Sequence, residues 1–138
     1  MKHRSLTMAL ALMLPASAAL AQVDFVEPKN GDTVSSTFTV RFAVDGMSVA
    51  PAGELKEGTG HHHLLVDVPT PALDKPIPND ANHLHFGAGQ TERKITLKPG
   101  KHRLQLILAD HGHVPHDPPV MTEVIEVNVL GPRKRRRR

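Results

Sequence analysis

The chain of 138 residues contains no cysteine, no tryptophan and no tyrosine, and its phenylalanines number four. Without cysteine there is no disulfide framework and no thiol chemistry, so a small domain of this kind must be held together by its apolar core, either alone or with the help of a metal. The scarcity of aromatic rings also argues against a base-stacking surface for nucleic acid. Histidine, by contrast, is abundant, with ten residues.

The first residues form a basic head, "MKHR", followed by the apolar run "SLTMALALMLPASAAL". This pattern predicts a signal peptide over residues 1–21, with cleavage after Ala21 and a mature start at Gln22; cleavage after Ala18 is the alternative. The run is too short and too interrupted by proline to suit a membrane span, and no cysteine is available for a lipid anchor. We therefore expect a periplasmic or secreted protein.

The remaining chain is predicted to form one domain, residues 22–131, and a disordered basic tail, residues 132–138. The domain carries nine Lys and Arg against fourteen Asp and Glu, whereas the "RKRRRR" of the tail adds six positive charges. The tail is either a solvated end or an attachment to an anionic envelope surface. Nucleic acid is not an expected partner, because the chain is exported and no aromatic residue accompanies the arginines.

Alternating apolar residues predict strands rather than helices. In "TFTVRFAV", residues 37–44, every second side chain is apolar, which is typical of a half-buried strand. Proline-rich and glycine-rich turn signals separate the runs, for example "PTPALDKPIPND" and "VPHDPP". We predict an all-β, immunoglobulin-like antiparallel β-sandwich of about seven strands. The predicted strands cover residues 23–28, 37–44, 63–68, 84–86, 94–98, 103–109 and 123–129.

Three adjacent histidines begin one of these strands, in "GTGHHHLLVD". Because side chains alternate along a strand, His61 and His63 share one face and His62 points to the other, with Leu64. "HLHF" repeats the pattern with His83 and His85. Residues two apart in a strand lie about 6.5 Å from each other at Cα, so each pair is a natural half-site for one metal ion.

A third group, "HGHVPH", follows the strand that ends at Ala109. Loops at one end of a sandwich can meet in space, so this group is expected to join the two pairs. Imidazoles with carboxylates nearby favour Zn(II) or Cu(II), since Cu(I) prefers sulfur. His102 shares the face of the buried leucines of its strand and is either a packing residue or a buried ligand. The predicted metal ligands are His61, His63, His83 and His85, followed by His113 and His116.

The sequence is also compatible with other functions. The histidines could have scattered structural roles, or they could line a metal-free pocket of a cell-envelope binding module for a sugar, peptide or polymer. A metal-dependent hydrolase would need a general base, for which the candidates are Asp67, Asp80, Glu92 and Asp110. Serine nucleophile chemistry is disfavoured, because the mature chain has three serines and no nucleophile-elbow motif.

Four segments, "VDGMSVAPAGELKEGTGHHHLLVD", "PIPNDANHLHFGAGQTE", "LKPGKHRLQLILAD" and "HVPHDPPV", together resemble an exported bacterial family, domain of unknown function 4399. The resemblance covers about residues 23–130 and leaves out the basic tail and His111. In "FGAGQTE", Gln90, Thr91 and Glu92 either orient imidazoles by hydrogen bonds or merely cap a loop. The resemblance implies that the motif histidines are His61, His62, His63, His83, His85, His102, His113 and His116.

Overall fold

The computed structural model describes residues 20–53, 56 and 58–133. Most of the predicted signal peptide and of the basic tail therefore lies outside the described residues. The described part contains ten β-strands and no segment that forms a helix long and apolar enough to cross a bilayer. The strands are β1 (Gln22–Glu27), β2 (Thr33–Val34), β3 (Thr37–Asp45), β4 (Ser48–Val49), β5 (Thr59–Val66), β6 (His83–His85), β7 (Glu92–Thr96), β8 (Gly100–Ala109), β9 (Pro115–Met121) and β10 (Ile125–Val129).

The strands form two sheets. One has the order β1-β3-β7, and the other has the order β2-β10-β8-β5-β4, with β6 added to β5 and β9 added to β8. The long strands pair antiparallel, while the two-residue strands β2 and β4 pair parallel. Strands β3 and β7 thus share one sheet and β5, β8 and β10 the other, which is the division of strands B and E from C, F and G in immunoglobulin domains. The predicted immunoglobulin-like β-sandwich is confirmed.

The main core lies between the sheets and follows the alternation read from the sequence. In β3, Phe38, Val40 and Phe42 are buried whereas Arg41 is exposed. Leu64 of β5 and Leu106 of β8 face them from the larger sheet and are fully buried. The main core is therefore built by period-two strands, each of which turns alternate side chains toward the space between the sheets.

A second, smaller apolar cluster covers the outer face of the larger sheet. It contains Leu65, Ile107 and Ala109 from the strands and Ile77 from the loop between β5 and β6. Strand β5 is consequently buried on both faces along its whole length. This double burial sets the environment of all three histidines that begin "HHHLLVD".

Three strands were missed by the sequence analysis. Strands β2 and β4 are too short to show alternation. Strand β9 includes the "PHDPP" part of "VPHDPP", so the prediction of a turn there was wrong in part. Pro115 and Val120 pair with Ala109 and Leu108 of β8, so the residues between them bulge out of an edge strand. An edge strand tolerates proline because its outward side needs no N–H donor.

Candidate metal centre

Two histidines of β5 converge on a third from a distant loop. The Nε2 atoms of His61 and His63 are 2.8 Å apart, and the Nε2 of His61 is 3.0 Å from the Nδ1 of His113. One ring nitrogen from each of these three histidines lies within 4.8 Å of the other two. Nitrogens that share one ion at about 2 Å must be this close, so the three rings are arranged as metal ligands would be.

His85 completes the group of imidazoles. Because β6 pairs antiparallel with β5, His85 lies directly opposite His63. Its ring centroid is 4.1 Å from that of His63 and 4.7 Å from that of His113. Its Nε2 lies 2.9 Å from the carbonyl oxygen of Pro78, so in the neutral ring Nε2 donates and Nδ1 carries the lone pair. We call His61, His63, His85 and His113 the outer His cluster.

Burial and mutual repulsion favour the neutral form of His61, His63 and His113. The pKa of His61 is lowered to about 4, mainly by desolvation and then by His113 and His85, while Asp110 opposes the shift. Desolvation, with His85 and His61 next in size, lowers the pKa of His63 to about 2. The pKa of His113 is also lowered, mainly by burial. Neutral imidazole is the form that binds metal, so the lowered pKa values of these three rings favour the ligating form.

His62 points away from this cluster into the main core. It is fully buried, its ring centroid is 4.3 Å from that of Phe42, and neither ring nitrogen has a hydrogen-bond partner. Desolvation lowers its pKa to about 4, with a smaller contribution from His61. The strand alternation read from the sequence thus separates a core histidine from two clustered ones.

The other two predicted ligands, His83 and His116, are not among the three converging histidines. His83 lies opposite Leu65, and its Nδ1 is 2.7 Å from a carboxylate oxygen of Asp80. The Nε2 of His116 is buried without a hydrogen-bond partner, beside Gly60. Whether His83 and His116 bind a metal stays a prediction.

The two remaining histidines of the described residues, His102 and His111, do not join the cluster. The Nδ1 of His102 is 2.6 Å from a carboxylate oxygen of Asp67, and its Nε2 donates to the carbonyl oxygen of Lys98 at 2.7 Å. Burial lowers the pKa of His102, but the bonds to Asp67 and Lys98 outweigh it and the net shift is upward. This pattern favours the packing interpretation of His102. His111 is exposed.

Most acidic candidates are occupied elsewhere. Asp67 holds His102, Asp80 holds His83, and Glu92 forms an ion pair with Arg41 at 2.8 Å. Asp110 is different, because its charge acts on the pKa of His61 and of His113. Its carboxylate accepts the N–H groups of Gly112 and Val114, which flank His113.

The sequence did not predict that Ile77 and Asp110 hold the loops around His113. Ile77 donates its N–H to the carbonyl oxygen of His113 at 2.8 Å and so ties two loops together. Asp110 caps the turn that carries His113, and "DHG" is a turn signature that the sequence offered. Gln90 accepts the N–H of Ala88 at 3.0 Å, which favours the interpretation of Gln90 as a loop cap.

A family model, domain of unknown function (DUF4399), matches residues 40–130, which span β3 to β10 and all four histidines of the outer His cluster. The chain belongs to the DUF4399 family. No curated protein is significantly similar to this DUF4399 chain.

Two solved structures resemble this DUF4399 protein. An endo-β-1,4-mannanase from Thermotoga petrophila is 14% identical, with a TM-score of 0.49 over 83% of this chain, which spans only 20% of the mannanase. Fibronectin(III)-like modules of Clostridium thermocellum CbhA are 13% identical, with a TM-score of 0.41 over 78% of this chain and 93% of the module.

Proposed function

We propose that this DUF4399 domain binds a divalent transition metal, Zn(II) or Cu(II), through the Nε2 of His61, the Nε2 of His63 and the Nδ1 of His113. The observation that carries the proposal is the convergence of one ring nitrogen from each of these three histidines within 4.8 Å, with His61 and His63 no more than 1% exposed. His85 lies against the other rings and is the candidate for a fourth ligand.

The chemistry of the rings supports a cation at this place. Each neutral imidazole has one N–H and one lone pair, so close nitrogens of three rings cannot all find good hydrogen-bond partners among themselves. A cation accepts all three lone pairs at once. The donor set is imidazole only, which suits Zn(II) and Cu(II) and offers no sulfur for Cu(I).

The neighbouring groups also suit ligation. Ligating histidines generally have their second ring nitrogen bonded to a carbonyl or carboxylate, which fixes the ring orientation. The bond from His85 to the carbonyl oxygen of Pro78 is of this kind. Asp110 adds a negative charge close to the cluster, which favours a bound cation.

The test is metal binding by untagged, chelator-treated protein, measured by calorimetry and by melting curves with and without Zn(II) or Cu(II) at pH 7.5. Binding to the folded state alone adds about 2.7 kcal/mol of stability when the free metal is 100 times its dissociation constant. The double variant H61A/H63A should lose this gain, and the exposed-site control H111A should keep it. Variants H83A and H116A test the two predicted ligands that lie outside the converging set.

The stability gained from metal binding should also fall steeply between pH 7.5 and pH 5, because protons compete with the metal for imidazole nitrogen. A parent protein that binds no metal at either pH, or a double variant that binds as tightly as the parent, would refute the proposal. A parent that binds no metal would favour the metal-free, histidine-lined pocket of an envelope binding module, whereas a double variant that binds as tightly as the parent would place the metal at another site.

A further inference from the structure

The three converging ligands differ in how they are held. His61 and His63 belong to β5, which pairs with β8 and β6 and is buried along its length. His113 instead lies in the loop between β8 and β9, and its φ of +66° is in the left-handed region. Residues other than glycine adopt this conformation only when their surroundings impose it. The completeness of the site therefore depends on what holds this loop.

Asp110 holds it through both its side chain and its backbone. One carboxylate oxygen accepts the N–H groups of Gly112 at 2.8 Å and of Val114 at 3.0 Å. The Asp110 N–H donates to the Val114 carbonyl oxygen at 2.9 Å, and the His113 N–H donates to the Asp110 carbonyl oxygen at 3.0 Å. Four hydrogen bonds thus close the turn whose third residue after Asp110 is the ligand.

We propose that Asp110 is a positioning residue that fixes His113 as the third ligand of the outer His cluster. The inference rests on the proposed metal site. Residues that orient ligands from outside the coordination shell commonly change metal affinity by about 10- to 100-fold when they are removed.

Asp110 also has a second effect, because its negative charge opposes the lowering of the pKa of His61 and His113 by burial. Position and charge can be separated by substitution. Asp110→Asn keeps an oxygen that accepts the two N–H groups but removes the charge. Asp110→Glu keeps the charge but places the carboxylate one methylene further out, where it no longer fits the turn. Asp110→Ala removes both.

A matched control is available in the same protein. Asp80 caps a similar turn, because one carboxylate oxygen accepts the N–H groups of Asn82 and His83, both at 2.9 Å. Its turn carries His83, which is not among the three converging ligands. Asp80→Ala thus removes a comparable turn cap without touching the third ligand.

The experiment measures Zn(II) affinity by competition with a chromophoric chelator, the Cu(II) absorption spectrum, and the melting temperature of each metal-free variant. We expect D110A and D110E to weaken Zn(II) binding by about 10- to 100-fold and to alter the Cu(II) spectrum. D110N should keep most of the affinity and the parent spectrum, and D80A should behave as the parent does. If D110A does not fold, the comparison of D110E with D110N decides.

Three results would overturn the inference. Parent-like Zn(II) binding by D110E, or by D110A, would show that the turn does not set the ligand geometry. A loss in D110N as large as that in D110E would assign the effect to charge rather than to position. A parent protein that binds no metal would instead refute the proposed function, and the inference would fail with it.

Discussion

The metal-free protein should lose stability steeply in mild acid, because three adjacent histidines are buried in their neutral form. His61, His62 and His63 are each at most 1% exposed, and burial is the largest cause of the lowered pKa of each one, to about 4, 4 and 2. In the unfolded chain the same rings titrate near pH 6.5. Below that pH the unfolded state binds protons that the folded state does not bind.

The size of the effect follows from linkage. For each ring, the stability is fully present above about pH 6.5 and is lost at about 1.4 kcal/mol per pH unit as the pH falls toward the folded-state pKa. At pH 5 this amounts to about 2 kcal/mol per ring and about 6 kcal/mol for the three. Small domains have a total stability of only about 5 to 15 kcal/mol, so the metal-free domain should be close to unfolding at pH 5.

His102 works in the opposite direction. Its pKa is raised in the folded state, through the bonds to Asp67 and Lys98 that outweigh burial. It therefore contributes stability that is fully present below the unfolded pKa and is lost as the pH rises through the folded pKa. One ring has a raised pKa and three have strongly lowered pKa values. The free energy of unfolding should therefore still increase with pH between pH 5 and 6.5.

The variant His62→Leu isolates one of the three rings. It removes a titrating group whose two nitrogens have no partner and leaves the outer His cluster unchanged. Urea unfolding of the metal-free protein should give the free energy of unfolding at several pH values. For His62→Leu, its dependence on pH should correspond to about one proton fewer than in the parent. The stability of the variant relative to the parent should be about 2 kcal/mol higher at pH 5 than at pH 7.5. The control His111→Ala changes an exposed ring and should keep the parent slope. An unchanged slope in His62→Leu would refute the reasoning.

Other expected outcomes can be measured in the same way. Phe42→Ala should lower the free energy of unfolding by about 2 to 5 kcal/mol, because Phe42 is buried against His62 and Phe86, whereas deletion of residues 133–138 should leave the melting temperature unchanged. Gly60→Ala should cost about 1 to 3 kcal/mol, since its Cβ would lie 2.6 Å from the Nε2 of His116 and 2.8 Å from the Ala109 carbonyl oxygen; Gly131→Ala, with no neighbour closer than 3.8 Å, is the control. We also propose export, and N-terminal sequencing of the periplasmic protein should begin at Gln22; material that still carries Met1 would contradict it.

The sequence predicted the sandwich because its long strands alternate cleanly. Phe38, Val40 and Phe42 lie on one face of β3, as their spacing required, and the same rule separated His62 from His61 and His63. Alternation is a local property, so it could be read without knowing the partners of a strand. The same property failed for β9, where prolines and a bulge hide the period.

The membership of the outer His cluster could be predicted only in part, because it depends on register. His85 reaches the cluster since it lies opposite His63, while His83, two residues earlier, lies opposite Leu65 and is bound by Asp80. Nothing in "HLHF" distinguishes the two rings. His113, the proposed ligand on the loop, is positioned by a turn that Asp110 closes. The segment "DHG" indicates this turn, but it does not show in which direction the turn presents the His113 ring.

The three histidines that begin "HHHLLVD" therefore lie in two different environments on opposite faces of one strand. His61 and His63 face a group of neutral rings in which a cation would use their lone pairs, and His62 faces an apolar core that offers its nitrogens no partner. Both environments depend on the same eight buried residues of β5, so a metal bound on the outer face would also stabilise the strand that carries His62. Metal binding and acid resistance should therefore rise together: Zn(II) at pH 6 should raise the unfolding free energy of the parent, but not that of H61A/H63A. If Zn(II) protected both proteins equally, the metal would be acting at another place.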